Sequence, residues 1–143
     1  PALVGNLGLE SRFDYSCIGN TVNVASRVEG ASKTVGYDIV VSGSTRAGAA
    51  GLAFLDAGSI SLKGKTVREE LHRLVGDETL ARTPAFRALV EAHGRVVADM
   101  VAGRSPAASI AGCLTLIAEV DPHLSKFYDI LPTRADDFPA TAA

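Results

Sequence analysis

Apolar residues fall into two regimes along this chain, and the regimes meet near Gly76-Asp77. Up to that point they come in short runs broken by glycine. "ALVGNL" at 2–7 and "RFDYSCI" at 12–18 read as strands, the second rich in aromatic and β-branched types. Gly5 and Gly8 permit a tight turn between them. Gly19-Asn20 breaks the second run, and Asn20 is placed to cap a helix over 20–33 that Gly36 closes. "YDIVVS" at 37–42 carries the clearest buried-strand signature, followed by a short helix in "STRAGAAG". "AGSISLKGK" and "VREELHRLVG" predict two more strands around the turn-prone Lys63-Gly64-Lys65.

From Asp77 the spacing changes to threes and fours. Thr83-Pro84 supplies a cap and a first-turn proline, and Phe86, Leu89, Val90, His93, Val97, Met100 and Val101 then form one stripe. Gly103 ends that helix. Ser105-Pro106 starts another, with Ile110, Cys113, Leu114 and Ile117 on a face, and Asp121-Pro122 opens a short third carrying Leu124, Phe127 and Tyr128. His93 sits on an apolar stripe, where a hydrogen-bonded core or boundary histidine is expected rather than a ligand. "PTRADDFPATAA" is small, polar and proline-containing, and is expected to be mobile. The pattern therefore predicts an α+β unit over 1–76, then a helical hairpin with a short third helix and a mobile tail over 77–143.

Composition narrows the function classes. With 143 residues, 47% of them apolar, the chain can bury a core, and a formal charge of −2 with scattered Lys and Arg argues against nucleic acid or an anionic membrane as partner. Cys17 and Cys113 lie too far apart for a disulfide framework or a metal-ligand spacing, so reduced thiols and a cytoplasmic location are expected. His72, His93 and His123 are equally dispersed, and no metal site is assigned. No run of apolar residues is long enough for a membrane-spanning helix. The opening "PALVGNLG" lacks an initiator Met and reads as a chain entered midway, so a fragment is expected.

Asn23 and Arg27 stand four residues apart in the predicted helix, so both project from one stripe. Such a pair is usually plain solvated surface. It also suits a phosphate ester, because the guanidinium offers a fork of donors matched to phosphoryl oxygens. Lys63, in its glycine-flanked turn, adds a point charge fit for a polyphosphate tail, though on the residues alone a solvated hairpin turn is the more expected reading.

The order of residues is more specific than any one of them. "FDYSCIGNTVNVASRVEGASK" resembles the second half of the catalytic domain of class III nucleotidyl cyclases, the adenylate and guanylate cyclase family. Gly19, Asn20, Thr21, Val22, Asn23, Ala25 and Arg27 match its glycine corner and T-V-N-x-A-x-R helix. The "IVVS" strand and the "LKGK" turn fall where that family has them, so the resemblance covers roughly residues 2–76. It implies part of a ferredoxin-like βαββαβ sheet with helices on one face. It also implies that Arg27 meets the α-phosphate, Asn23 holds the ribose, Lys63 neutralises the β- and γ-phosphates, and Ser16 reads the purine. A hydroxyl there favours ATP, whereas guanylate cyclases tend to carry Cys; Cys17 is adjacent, and neighbours on a strand point to opposite faces. The resemblance further implies a homodimer with sites between protomers, and Mg²⁺ or Mn²⁺ held by two aspartates in the half of the domain that this chain lacks. Asp14, Asp38 and Asp56 are not in matching contexts. The chain by itself is expected to be inactive, as part of a parent resembling bacterial cyclases anchored at the inner membrane by a sensor. A guanylate or purine-relaxed cyclase, and a degenerate dimerisation or nucleotide-sensing module, are the other readings.

Overall fold

The computed structural model describes residues 1–9, 11–61 and 68–139. Its fold is α+β, and the elements run β1 (Leu3–Asn6), β2 (Tyr15–Ile18), α1 (Asn20–Val35), β3 (Val40–Ser42), α2 (Gly43–Gly48), β4 (Ala53–Ser61) and β5 (Arg68–Gly76). Then come α3 (Glu78–Ala81), α4 (Pro84–Val101), α5 (Ala107–Val120), α6 (Leu124–Ile130) and a 3₁₀ helix (Leu131–Asp137). β1 and β2 form an antiparallel hairpin that pairs Gly5 with Ser16, and β3, β5 and β4 form a separate antiparallel sheet with β5 in the centre. Among the described residues no ladder joins the two.

Local chemistry sets most helix ends. The Thr83 hydroxyl accepts from the Phe86 amide at 3.1 Å, with Pro84 following, as the sequence predicts for α4. Gly36 closes α1 at φ 74, a left-handed geometry that glycine adopts without a Cβ penalty. Asn20 is not the cap of α1. Gly19 occupies that position at φ 151, without a side-chain cap bond, and Asn20 is the first helical residue. The helix also runs past Lys33, because Val35 is fully buried and holds the last turn down.

Three other expectations change. The "YDIVVS" strand shrinks to three residues: the Gly36 and Tyr37 amides both bond back to the Ser32 carbonyl, and Ile39 is exposed. β4 begins at Ala53 rather than near Ala57, since the ladder to β5 skips between Asp56 and Ser59 and the bulge breaks the alternation. The C-terminal segment is packed rather than mobile as far as Phe138, with Leu131, Arg134 and Phe138 buried. The one-turn α3, capped by Asp77, carries too short a pattern to be read from sequence.

One core crosses position 76. Ala53, Leu55, Ala57 and Leu71 face it from the sheet, Val28 and Val35 from α1, and Phe86, Leu89, Val96, Cys113, Leu124, Phe127 and Tyr128 from the later helices. Val90 and Leu114 lie at the stripes' edges and are exposed. His93 is buried here and satisfied. Nε2 lies 2.9 Å from the Asp56 carbonyl, which can only accept, so Nε2 donates and Nδ1 takes the Tyr128 hydroxyl at 3.2 Å. Burial, aided by the Arg73 cation, pulls its pKa down to about 3. Arg73 is wholly buried, with its guanidinium carbon 3.0 Å from the Phe127 ring centroid and 5.4 Å from that of Tyr128. None of its three nitrogens has a hydrogen-bond partner among the described residues, so the aromatic faces are its compensation.

Candidate functional site

β2 feeds directly into α1, and the corner between them requires glycine. A Cβ on Gly19 would lie 3.0 Å from the Pro1 carbonyl oxygen and 3.1 Å from the Ala2 Cα, on top of the unfavourable φ. The Asn23 amide donates to the Gly19 carbonyl at 3.1 Å, which starts the helix at the corner. Val28 and Val35 then seat α1 on the core. At 3.6 residues per turn, Asn23 and Arg27 fall roughly 110° round the helix from that stripe. Both are exposed, one turn apart.

Ser16 is exposed on β2, opposite Gly5 of β1, and Cys17 is exposed on the other face. The side chains of Ser16, Asn23 and Arg27 enter no hydrogen bond or ion pair among the described residues. Lys63 lies outside the described residues, between Ser61 at the end of β4 and Arg68 at the start of β5.

The structure brings Asn23 and Arg27 onto one stripe beside the strand that carries Ser16, but encloses none of the three. A groove of about 510 Å³ runs between α1 and β3, lined by Thr21, Ala25 and Ser32 on one side and Asp38 to Ser42 on the other. Neither Asn23 nor Arg27 lines it. The candidate site is an open surface that offers an amide and a guanidinium.

A metal does not fit here. Among the described residues, no three His, Cys, Asp or Glu side chains gather to hold one. Asp14 lies in the β1–β2 loop, Asp38 borders the groove, and the Asp56 carboxylate accepts from the Gly58 amide at 2.7 Å. The sequence pattern gives no signal for two further arginines, Arg68 and Arg134. The fold brings both to the base of the β4–β5 hairpin.

Comparison with known proteins points the same way as the motif. The chain is 36% identical over 76 residues to adenylate cyclase 1 of Rhizobium meliloti (strain 1021), covering 52% of this chain and 11% of that protein. It is 45% identical over 40 residues to the adenylate cyclase of Anabaena cylindrica, covering 28% of this chain and 8% of that one. The chain thus spans about a tenth of the length of these curated relatives. No family model and no solved structure matches it. About half of the chain is similar to adenylate cyclases.

Proposed function

We propose that this chain is the second half of a class III adenylate cyclase catalytic domain, which converts ATP to 3′,5′-cyclic AMP and pyrophosphate at a homodimer interface. The observation that carries the reading is the exposed Asn23–Arg27 stripe on a helix started by the Gly19 corner, within a chain about half of which is similar to adenylate cyclases. In the reaction the ribose 3′-oxygen attacks the α-phosphorus, the bond to pyrophosphate breaks and the hydroxyl proton leaves. Arg27 donates to the α-phosphate oxygens as charge builds on them, a contribution made mainly in the transition state. Asn23 holds the ribose so that the attacking oxygen lies in line, an effect of orientation. Ser16 accepts from the adenine amino group. Lys63 offsets the charge of the departing β- and γ-phosphates.

This reading makes the chain inactive alone, because the opposite wall of the site and the metal ligands come from elsewhere in the parent. It places the catalytic part in the cytoplasm, with the parent anchored at the inner membrane by a sensor. In this proposal residues 1–76 carry the nucleotide chemistry, and the helices of 77–143 support them.

The test uses the full-length protein that contains this chain, given ATP and GTP separately with Mn²⁺. Cyclic AMP in clear excess is the expected result, and Ser16→Cys should shift product toward cyclic GMP. Comparable products from both nucleotides would favour a purine-relaxed enzyme, a reading that rests on Cys17 being exposed beside Ser16. No product from a folded dimer would leave a degenerate nucleotide-sensing module.

A further inference from the structure

A cavity of about 370 Å³ lies between α2, the outer face of the sheet and α4. Phe54 and Asp56 alternate along β4 with the buried Leu55 and Ala57, so they project from the face opposite the core. His72, the ladder partner of Asp56 on β5, shares that face. Val90, Gly94 and Val97 close the α4 side. The cavity is preformed, because His93 Nε2 donates to the Asp56 carbonyl at 2.9 Å and ties α4 to β4 beside it.

Three polar side chains face this space. Arg46 stands on α2, whose start is fixed by the Ser42 hydroxyl accepting from the Thr45 amide at 3.2 Å. One Asp56 carboxylate oxygen accepts from the Gly58 amide at 2.7 Å. Among the described residues, neither Arg46 nor Asp56 enters an ion pair, with the other or with a third group. Two opposite charges thus face one cavity without meeting, which leaves room for a ligand that carries both. The His72 side chain is 15% exposed and lies 3.8 Å from the Glu70 carboxylate, too far for a hydrogen bond. Burial keeps its ring neutral near neutrality, so one nitrogen can donate and the other accept. Gly94 adds a separate sign. Glycine inside a helix weakens it, and a Cβ there would meet nothing within 4 Å, so packing does not require the glycine. Its effect is to keep the cavity wall free of a side chain.

We propose that this cavity binds a small zwitterion with an apolar side chain, the chemistry of a free aliphatic or aromatic amino acid. The ligand carboxylate meets the planar fork of Arg46, its ammonium meets Asp56, and its side chain lies against Phe54, Val90 and Val97. His72 supplies a further hydrogen bond to the head group. A ligand with only one of the two charges leaves Arg46 or Asp56 without a partner, which is the basis of selectivity. The site shares no residue with Ser16, Asn23 and Arg27, so its test is independent of cyclic AMP formation.

The experiment titrates the full-length protein with L-leucine and L-phenylalanine, by calorimetry and ligand-observed NMR. Isocaproate, which lacks the amino group, and isoamylamine, which lacks the carboxyl group, serve as truncated probes. At least one amino acid should bind with a Kd of about 1 mM or tighter, and each truncated probe about tenfold more weakly than L-leucine, the ordinary cost of one charge-assisted hydrogen bond. Arg46→Gln and Asp56→Asn should each weaken amino-acid binding by about tenfold, and Gly94→Phe should abolish it by filling the wall. All three variants should keep the melting temperature, since Arg46 and Gly94 are exposed and asparagine retains an oxygen for the Gly58 amide. No binding of either amino acid at about 10 mM overturns the proposal. Isocaproate or isoamylamine binding as tightly as L-leucine overturns the zwitterion assignment. Binding undiminished in Gly94→Phe places the ligand elsewhere and overturns the site.

Discussion

The β1–β2 hairpin and the helices α4 to α6 are built on opposite terms. In and beside the hairpin, Leu3, Val4, Leu7, Leu9, Phe13, Tyr15 and Ile18 are all between 41% and 79% exposed. In the helical half, Leu89, Val96, Cys113, Leu124 and Phe127 are wholly buried. Ser16 lies in the first region and Asn23 and Arg27 on the outer face of α1, whereas much of the core that holds the fold lies in the second. On the proposed reading, function and stability are therefore separable to a degree that an enclosed active site does not permit. An apolar surface of this kind is normally covered by another protein surface, and the proposed homodimer supplies one.

The comparison can be broken by exchanging the two kinds of mutation. Leu89→Ala should cost about 2–5 kcal/mol of stability, because it empties a fully packed position on α4. In protein that remains folded at low temperature, it should leave cyclic AMP formation near the parent's rate. Urea denaturation beside the activity assay checks both halves of that expectation. Arg27→Ala should do the reverse. Cyclic AMP formation should fall by about a hundred- to a thousandfold, the usual cost of losing one preorganised donor to developing charge, while the melting temperature holds. A fall in melting temperature would show that Arg27 has a structural partner and would erase the contrast.

His93 sharpens the comparison through pH. Its folded pKa of about 3 is below the ordinary 6.5, so the unfolded chain takes up the proton first. The stability it confers is complete above pH 6.5 and is lost as pH falls toward 3, at about 1.4 kcal/mol per pH unit. Asp99 and Asp121, whose carboxyls are held below the usual range, add their own loss mainly at the acid end. His72, also pulled down by burial, loses stability in the same interval, so the interval from 6 to 4 isolates His93 only in a His72→Gln background. The ring of His93 faces the Asp56 carbonyl, the Tyr128 hydroxyl, Phe127 and the Arg73 cation; the carbonyl favours a charged ring, but burial and the neighbouring cation outweigh it. Stability against pH should flatten over that interval when His93→Gln is added to that background. An unchanged slope would place the acid-sensitive group elsewhere.

Much of this was legible in the chain because it is local. The capped start of α4 at Thr83-Pro84, the left-handed Gly36 and the core stripe from Phe86 to Met100 each depend on residues within a few positions of one another. So does the stripe that presents Asn23 beside Arg27. Where one residue can distort a period the sequence misleads, as Gly58 does in β4 and Gly19 at the head of α1.

By itself, then, the sequence determined the α+β class, the order of the longer elements, the histidine that belongs in the core and the two groups that share the outer face of α1. Only tertiary structure decided that the proline-containing segment after α6 is anchored. Arg134 finds the Ala57 carbonyl across a separation of 77 residues, and no period or cap spans such a distance. The fold alone likewise decided that Arg73 is buried against Phe127, whereas the arginine on α1 stands in solvent. Helices and caps are set by bonds between near neighbours, while a charge's surroundings depend on which distant surfaces close over it.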